Sequence, residues 1–391
     1  MSLPLIAPTT LRAGHTRFDP VFVLGHPRSG TTLTCQLLLA HLDVNFGTES
    51  QFIIRYRERL HRYGDLNDDR RLRFLFEEIS GERFFERTRS NFGFVFDVDR
   101  AMRTIDRRTY AGVLQTVFEQ FAQSKGRNRW GDKTPAYSRH LPVLHELFPT
   151  AQYIHVVRDG RDVAVSAFKT GFGPKNAFEA AVAWSEQVRT IERFGTGLSA
   201  GNFLTVRYED LLCDPAAAMG TIAKFLGIRN TEEVLAASAG PIRAQVWENN
   251  SGKCREFLSV REIECFEALA ADVLDRFGYQ LRYRRRTKPI TAAETIYWKT
   301  KGVWKRVANP QYWADNRYKA QLRLRAATLA LRRSYRSAGP VFTRFFPARF
   351  AAYNAASARS INSRTLPSGP DSATPMLTVT RNAERVRSVE W

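Results

Sequence analysis

A glycine-rich loop near the start of the chain has the residues needed to bind a phosphate-like anion. The segment Gly25-His26-Pro27-Arg28-Ser29-Gly30-Thr31-Thr32 follows the apolar run 21–24 and precedes a stretch with helical patterning. Glycines at such a turn let backbone N–H groups point at a ligand, and the positive end of the helix dipole adds to the attraction. We therefore predict an anion cradle in which Arg28 supplies a full positive charge.

The same loop departs from a nucleotide-triphosphate loop at one position. That pattern has a lysine that reaches the outer phosphates, followed by a hydroxyl residue that holds Mg²⁺. Thr31 stands where the lysine is expected. The change argues against an ATPase or a kinase. A glycine-rich turn without a ligand is the simpler alternative interpretation of the loop.

A second group of anion-binding side chains follows the apolar segment 151–157. Arg158 comes directly after this predicted strand, and Ser166 lies eight residues later within the next helix. In open α/β sheets, ligands bind at the carboxyl ends of the strands, where Arg158 is expected to lie. Arginine offers forked donors to a phosphate and serine adds a hydroxyl donor. Asp159 and Asp162 are interpreted as a helix cap and a partner of the helix dipole, and a surface ion pair is the alternative for Arg158.

Two anion sites on one sheet edge suit a nucleotide with phosphates on both sides of its ribose. The chain resembles sulfotransferases that use 3′-phosphoadenosine 5′-phosphosulfate (PAPS), because HPRSGTT at 26–32 is similar to their 5′-phosphosulfate loop and VVRDGRDVAVS at 156–166 to their 3′-phosphate motif. The resemblance covers residues 20–281 and is closer to the tyrosylprotein and bacterial branch than to the cytosolic steroid and phenol branch. It implies PAPS as co-substrate, adenosine 3′,5′-bisphosphate as product, and no metal.

The resemblance also implies which residues bind the nucleotide. They come from the phosphosulfate loop, the 3′-phosphate motif, a strand-end tyrosine and a mobile loop that closes over the nucleotide: Pro27, Arg28, Ser29, Gly30, Thr31, Thr32, Arg158, Ser166, Tyr208, Ser251, Lys253 and Arg255. The mobile loop has Cys254 where related chains often have tryptophan. Ordinary solvated charges are the alternative for Lys253 and Arg255.

Sulfuryl transfer, like phosphoryl transfer, needs in-line geometry and positive charge around the transferred group. Arg28 and Lys133 are the cations expected there. A base must accept the proton of the acceptor hydroxyl, and resemblance to the Gly-x-Glu segment of the tyrosylprotein branch makes Glu49 that base. A turn lysine and a helix-capping carboxylate are the alternatives for Lys133 and Glu49. His155 is expected to pack within a strand.

Alternating strands and helices predict an α/β fold: a P-loop-like, three-layer α/β/α domain with a central parallel sheet. We assign it to residues 20–285, after a lead-in at 1–19. The clearest predicted elements are strands at 21–24, 151–157 and 202–208 and helices at 31–41, from about 161, at 215–226 and at 260–277.

The amino-acid composition argues against several classes of protein. Of 391 residues, 43% are hydrophobic and 25% charged, which excludes disorder over the whole length. Four cysteines without paired spacing argue against a disulfide framework and a zinc site. No apolar run is long enough to span a membrane and no secretory signal is evident. We therefore expect a cytoplasmic protein.

Most of the net charge of +20 lies at the C-terminal end. Residues 282–391 contain 23 basic and 5 acidic residues, a net charge of +18. Residues 286–365 are predicted to form a basic, aromatic-rich, mainly helical extension, and 366–391 a disordered tail. Attachment to an anionic inner membrane face, binding of an acidic acceptor, nonspecific nucleic-acid affinity, and a solvated helical extension or oligomer contact all remain open. No motif for specific nucleic-acid recognition is present.

The sequence thus predicts a sulfotransferase that moves the sulfuryl group of PAPS to a hydroxyl or amine by in-line displacement with a carboxylate base. A small-molecule kinase of similar P-loop fold, and a non-catalytic nucleotide-binding or membrane-associated scaffold, are the alternatives. Carbohydrate, lipid, peptide and small-metabolite acceptors remain equally open.

Overall fold

The computed structural model describes residues 19–170, 173–228, 250–283 and 289–308, together with Gly240, Pro310, Trp313 and Arg317. The chain divides into two compact units, residues 1–309 and residues 310–391. Nearly all of the second unit, including the predicted tail at 366–391, lies outside the described residues, as do residues 1–18 of the predicted lead-in at 1–19. The site is built on the first unit.

Five parallel strands form the central sheet. They are β1 (Val21–Leu24), β2 (Val44–Phe46), β3 (Arg129–Asp132), β4 (Gln152–Val157) and β5 (Phe203–Arg207). Their order across the sheet is β2-β3-β1-β4-β5, and every neighbouring pair is parallel. Parallel neighbours need crossover connections, which helices provide on both faces. The predicted α/β class with a central parallel sheet is confirmed.

Fourteen α-helices are present within the described ranges, together with two 3₁₀ helices, Leu60–Arg62 and Pro135–Arg139. None of these helices is both long and apolar enough to cross a bilayer. The α-helices are α1 (Thr31–His41), α2 (Ile53–Glu58), α3 (Asp69–Ser80), α4 (Arg83–Phe92), α5 (Val98–Thr104), α6 (Tyr110–Ser124), α7 (Leu141–Leu147), α8 (Gly160–Phe168), α9 (Ala177–Thr196), α10 (Tyr208–Cys213), α11 (Pro215–Phe225), α12 (Cys254–Phe257), α13 (Val260–Arg276) and α14 (Ala292–Val307).

The sheet buries both of its faces, which explains the apolar runs in its central strands. Because successive residues of a strand point to opposite faces, Phe22 and Leu24 join one core and Val21 and Val23 the other. The first core is rich in aromatic rings from the helical region between β2 and β3. Trp130 stacks there on Phe118 with ring centroids 4.4 Å apart. The second core packs α1, α10 and α11 against the sheet.

Strands β2 and β3 were not predicted from the sequence, because they are short and partly polar. Strand β3 begins with Arg129, which is buried. Its Nε donates to the Asp19 carbonyl at 2.7 Å, and its Nη1 and Nη2 donate to the Leu226 carbonyl and to Gln152. These partners are distant in sequence, so the burial of an arginine in a strand had no local signal.

Helix α14 packs against α9, although the sequence placed it in a separate basic extension after residue 285. Trp298 is buried, and its carbonyl accepts a hydrogen bond from Asn176 Nδ2 at 2.8 Å. Arg306 forms an ion pair with Glu179 of α9. The change in charge at residue 282 therefore does not coincide with the boundary between the two compact units, which lies after residue 309.

Candidate active site

The carboxyl ends of the five strands carry most of the predicted site residues. In sheet order, Glu49 follows β2, Lys133 follows β3, the loop ending at Gly30 follows β1, Arg158 follows β4 and Tyr208 follows β5. The carboxyl ends of parallel strands lie at one edge of a sheet. The topology therefore orders residues that are up to 178 positions apart in sequence, Gly30 and Tyr208, along a single edge.

The loop between β1 and α1 has the backbone conformation of an anion cradle. Arg28 and Gly30 both have left-handed backbones, with φ of 74° and 91°. Gly30 is the N-cap of α1 and offers no side chain to its first turn, which leaves those N–H groups available to a ligand. A Cβ at Gly30 would lie 2.1 Å from the Tyr208 ring, so only glycine fits there.

The two predicted anion sites meet in one cavity of about 360 Å³. Arg28 and Arg158 both line it. Arg28 Nε donates to Ser166 Oγ at 2.9 Å, and Arg158 Nη1 donates to the Arg28 carbonyl at 3.2 Å. Its other predicted lining residues are Gly30, Thr31, Thr32, Tyr208 and Lys253. The cavity therefore combines helix N–H groups, hydroxyls and guanidinium groups, which is the chemistry that binds phosphate or sulfate.

Arg158 is buried and held by neutral partners. Its guanidinium lies 4.6 Å from the centre of the Tyr208 ring, a cation–π contact, and its Nη2 donates to the Asn250 carbonyl at 2.5 Å. Its Nε and the buried Ser29 hydroxyl have no hydrogen-bond partner within the described residues. Buried polar atoms are nearly always paired, so the open Nε of Arg158, which lines the cavity, fits a site that takes an anionic ligand. Ser29 is not part of the cavity lining.

The segment predicted to be a mobile loop is anchored by Asp162. The Asp162 carboxylate accepts from the backbone N–H groups of Gly252 at 2.6 Å and Cys254 at 2.7 Å. From the sequence, Asp162 was predicted only to be a partner of the helix dipole. Lys253 lines the cavity, whereas Ser251 and Arg255 are exposed and lie outside its lining.

Asn250 was missed by the sequence analysis. Its Nδ2 donates to the Tyr208 hydroxyl at 2.7 Å, its carbonyl accepts from Arg158, and its Oδ1 accepts from Lys253 Nζ at 2.8 Å. It thus joins the anchored segment to the strand-end residues. No residue pattern around Asn250 signals these three contacts.

The two residues predicted to act in catalysis beside Arg28 form an ion pair. Lys133 Nζ lies 2.9 Å from Glu49 Oε1, and Glu49 Oε2 accepts from Gln51 Nε2 at 3.2 Å. Both side chains are mostly buried, with 13% and 30% of their surfaces exposed. They line neither of the cavities described in this section.

A buried carboxyl group lies next to this pair at the end of β3. Asp132 Oδ2 accepts from the Ser50 backbone N–H at 3.3 Å, and its Oδ1 has no partner within the described residues. The pKa of Asp132 is raised to about 6, mainly because the carboxyl is buried. Hydrogen bonds from Ser50 and Thr134 oppose this rise, and the nearby Glu49 charge adds to it. The protonation state of Asp132 therefore changes between mildly acidic and neutral pH.

A second, larger cavity of about 700 Å³ adjoins the loop from the other side of Arg28, which lines both cavities. Its apolar wall comes mainly from α9, and α14 contributes Lys299 and Arg306. Pro27 and His26 also line it. His26 Nδ1 donates to the Pro27 carbonyl at 2.8 Å, and burial lowers the pKa of the ring. The ring is therefore neutral at pH 7, with Nε2 as an acceptor.

Comparisons with known proteins agree with the geometry. A family model described as "Sulfotransferase family" matches residues 20–233. Protein-tyrosine sulfotransferase A of Caenorhabditis elegans is 28% identical over 247 residues, which cover 60% of this chain and 57% of that protein. Protein-tyrosine sulfotransferase 1 of Danio rerio is 27% identical over 251 residues, 60% of this chain and 63% of that protein. The matched part is thus less than two thirds of either relative.

One solved structure with similarity is the sulfotransferase domain from the curacin biosynthetic pathway. It has a TM-score of 0.43 and 19% sequence identity, and the match covers 68% of this chain and 100% of that one.

The left-handed backbone conformation of Arg28 lowers the free energy of unfolding of the protein by a measurable amount. We expect the Arg28→Gly variant to be more stable than the Arg28→Ala variant, with a free energy of unfolding about 1 kcal/mol higher. The reason is that only glycine adopts this conformation without strain. Urea denaturation measures the difference. At the exposed control position Arg59, where φ is −103°, alanine should be the more stable replacement. Equal stability of the two Arg28 variants would contradict a strained loop.

The raised pKa of Asp132 gives a second expectation. A carboxyl whose pKa is higher in the folded than in the unfolded state stabilises the fold below about pH 4, and this contribution is lost as pH rises through about 6. Asp132→Asn should therefore raise the free energy of unfolding at pH 7.5 by about 2 kcal/mol and change it little at pH 4.

Urea denaturation at the two pH values tests this expectation, with the exposed Asp99→Asn as a control that changes little at either pH. An effect of Asp132→Asn that is the same at pH 4 and pH 7.5 would show that the carboxyl does not titrate in this range.

Proposed function

Because the chain belongs to the sulfotransferase family, we propose that it transfers the sulfuryl group of PAPS to a hydroxyl or amine of an acceptor. The observation that carries the proposal is the cavity that Arg28, Arg158 and Ser166 share. It offers two clusters of anion-binding groups, one at the N-terminus of α1 and one at the end of β4. PAPS has its phosphosulfate and its 3′-phosphate on opposite sides of the ribose, and so requires two such clusters.

In this proposal the 3′-phosphate is bound by Arg158 and Ser166, with Lys253 at the cavity wall. The 5′-phosphosulfate lies against the N–H groups that begin α1 and the hydroxyls of Thr31 and Thr32. The open Nε of Arg158 supports this arrangement, because it would gain a hydrogen bond that the described residues do not provide. Asp162 keeps Lys253 at the site by holding the backbone on both sides of it.

The reaction breaks the bond between sulfur and the oxygen of the 5′-phosphate, and that oxygen keeps the electron pair. A new bond forms between sulfur and the acceptor oxygen or nitrogen, whose proton passes to a base. Arg28 lies between the two cavities and supplies positive charge to the sulfuryl group as it moves. Glu49 is the proposed base, and Lys133 orients its carboxylate through their 2.9 Å ion pair.

The acceptor is proposed to enter through the larger cavity, which meets the smaller, nucleotide-binding cavity at Arg28, and to extend past the cavity lining to Glu49, which lines neither cavity. Two of the relatives with the matched segment are protein-tyrosine sulfotransferases, so a tyrosine-containing peptide is the first acceptor to test. A small-molecule kinase is the second candidate, and Thr31 in the place of the phosphate-binding lysine disfavours it. Binding of adenosine 3′,5′-bisphosphate without Mg²⁺, and no binding of ATP, separates the two functions.

We expect Arg158→Ala to weaken the affinity for adenosine 3′,5′-bisphosphate by at least about tenfold, because a charge-assisted hydrogen bond contributes roughly 1.5–3 kcal/mol. Ser166→Ala should cause a smaller loss. Isothermal titration without Mg²⁺ measures both affinities. Arg62→Ala, the loss of an exposed arginine that lines neither cavity, is the matched control. Unchanged affinity of the Arg158 variant would remove the nucleotide site.

Glu49→Gln should bind the same nucleotide as well as the wild type and lose turnover by about 10²–10⁴-fold, since it keeps the shape of the side chain and removes the base. Transfer of ³⁵S from labelled PAPS to a tyrosine peptide measures turnover. His26→Gln is a useful comparison, because the neutral His26 ring lines the acceptor cavity. An active Glu49→Gln together with an inactive His26→Gln would transfer the base assignment to His26.

A further inference from the structure

Helix α14 has an exposed apolar face that the proposed reaction does not use. Ile296, Tyr297, Val303 and Trp304 are 63%, 48%, 55% and 74% exposed. At about 100° per residue, these four side chains fall within an arc of about 120° on the helix. We call them the apolar arc. The opposite side of the helix, including Trp298, is packed against α9. The arc is therefore not needed to hold α14 on the domain.

Basic side chains flank the apolar arc on both sides. Lys299 borders it on one edge and Lys301 on the other, with Lys305 beyond. The ion pairs that α14 makes with described residues join Glu294 to Arg261 and Arg306 to Glu179. The three lysines have no carboxylate partner among the described residues. Lys301 lies over the Tyr297 and Trp298 rings and Lys305 over the Phe168 ring. The face thus combines positive charge that no described carboxylate neutralises with exposed aliphatic and aromatic groups.

We propose that the apolar arc of α14 docks on an anionic lipid bilayer. A helix with tryptophan and aliphatic residues on one face and lysines beside them lies in the interface between headgroups and acyl chains. Anionic headgroups attract each lysine near the surface. The net charge of +18 on residues 282–391 has the same sign, so the wider segment adds to the attraction.

Two other occupants fit the observations less well. A second copy of the chain would bring together two surfaces that are both strongly positive, which opposes association. A nucleic acid would pair with the lysines but would leave Ile296 and Val303 without an apolar partner. A bilayer satisfies both parts of the surface, because it has an anionic layer above an apolar one.

The docking face lies beside the larger cavity. Lys299 lines the cavity and borders the apolar arc, and Arg306 lines it one turn of helix away from Val303. A docked α14 therefore brings one wall of the proposed acceptor cavity close to the lipid surface. The docking inference does not depend on the proposed transferase activity, because it rests on α14 alone.

Vesicle flotation of the full chain tests the proposal. We expect the chain to float with vesicles that contain about 30 mol% phosphatidylserine and to remain unbound with pure phosphatidylcholine. The triple variant Ile296→Ser, Val303→Ser, Trp304→Ser should lose at least about tenfold in partitioning, and Lys301→Gln about fivefold. The matched control is Val95→Ser with Val260→Ser, two exposed valines outside α14, which should float like the wild type.

Three results would overturn the proposal. They are equal flotation of the triple variant and the wild type, no flotation of the wild type, and equal binding to neutral and anionic vesicles. Loss of binding to a single-stranded RNA in Lys301→Gln but not in the triple variant, without flotation of the wild type, would identify a nucleic acid instead. A wild-type dimer that the triple variant abolishes, again without flotation, would identify a second copy.

Titration of each variant with adenosine 3′,5′-bisphosphate checks that the fold and the donor site are intact. We expect the triple variant to bind this nucleotide like the wild type, because its three residues line neither cavity. Failure of the wild type to bind the nucleotide would count against the proposed function and leave the flotation result standing.

Discussion

The site depends on two arginines that are held near each other without an ion-pair partner among the described residues. Arg28 and Arg158 line the same cavity, and a guanidinium nitrogen of Arg158 donates to the Arg28 carbonyl. Their remaining contacts are with neutral groups: Ser166, Asn250 and the Tyr208 ring. Neither forms an ion pair with a residue that the structure describes. Cations that share a site repel each other, and an anion between them would relieve that repulsion. The fold maintains this arrangement by placing their strands, β1 and β4, side by side.

Arg161 shows how the same side chain is used when its role is structural. It lies three residues after Arg158 and is buried to a similar extent, but it forms ion pairs with Asp159 and Glu267 and donates to the Gln280 carbonyl. Glu267 also accepts from the backbone of residues 282 and 283. These bonds tie α8 to α13 and to the segment that follows α13. Arg158 and Arg161 are therefore distinguished by their hydrogen-bond and ion-pair partners and not by their burial. Arg158 is available to a ligand, whereas Arg161 stabilises the fold.

Local sequence was sufficient to predict the strands and helices next to motifs whose residues are neighbours in the chain. The loop at 25–32 and the motif at 156–166 are contiguous, and the strands and helices next to them were predicted within one or two residues of the observed ends. Strands β2 and β3 were not, because the burial of Arg129 depends on Asp19, Gln152 and Leu226. The contacts of Asn250 and the raised pKa of Asp132 have the same origin. Each is created by packing between segments that are far apart in sequence, so neither composition nor periodicity can predict it.

Helix α14 shows why composition is a poor guide to the edge of a domain. Its positive charge and aromatic residues resemble those of the following segment, so the sequence separates it from the sheet domain. Yet one side of the helix has residues that only a packed neighbour explains: Trp298 is buried, and a Cβ at Gly302 would lie 2.1 Å from Glu179 Oε1. Its other side retains exposed apolar groups. A helix with one side fixed to the domain and another side apolar and basic is suited to link the cavity wall formed by Lys299 and Arg306 to a surface outside the protein.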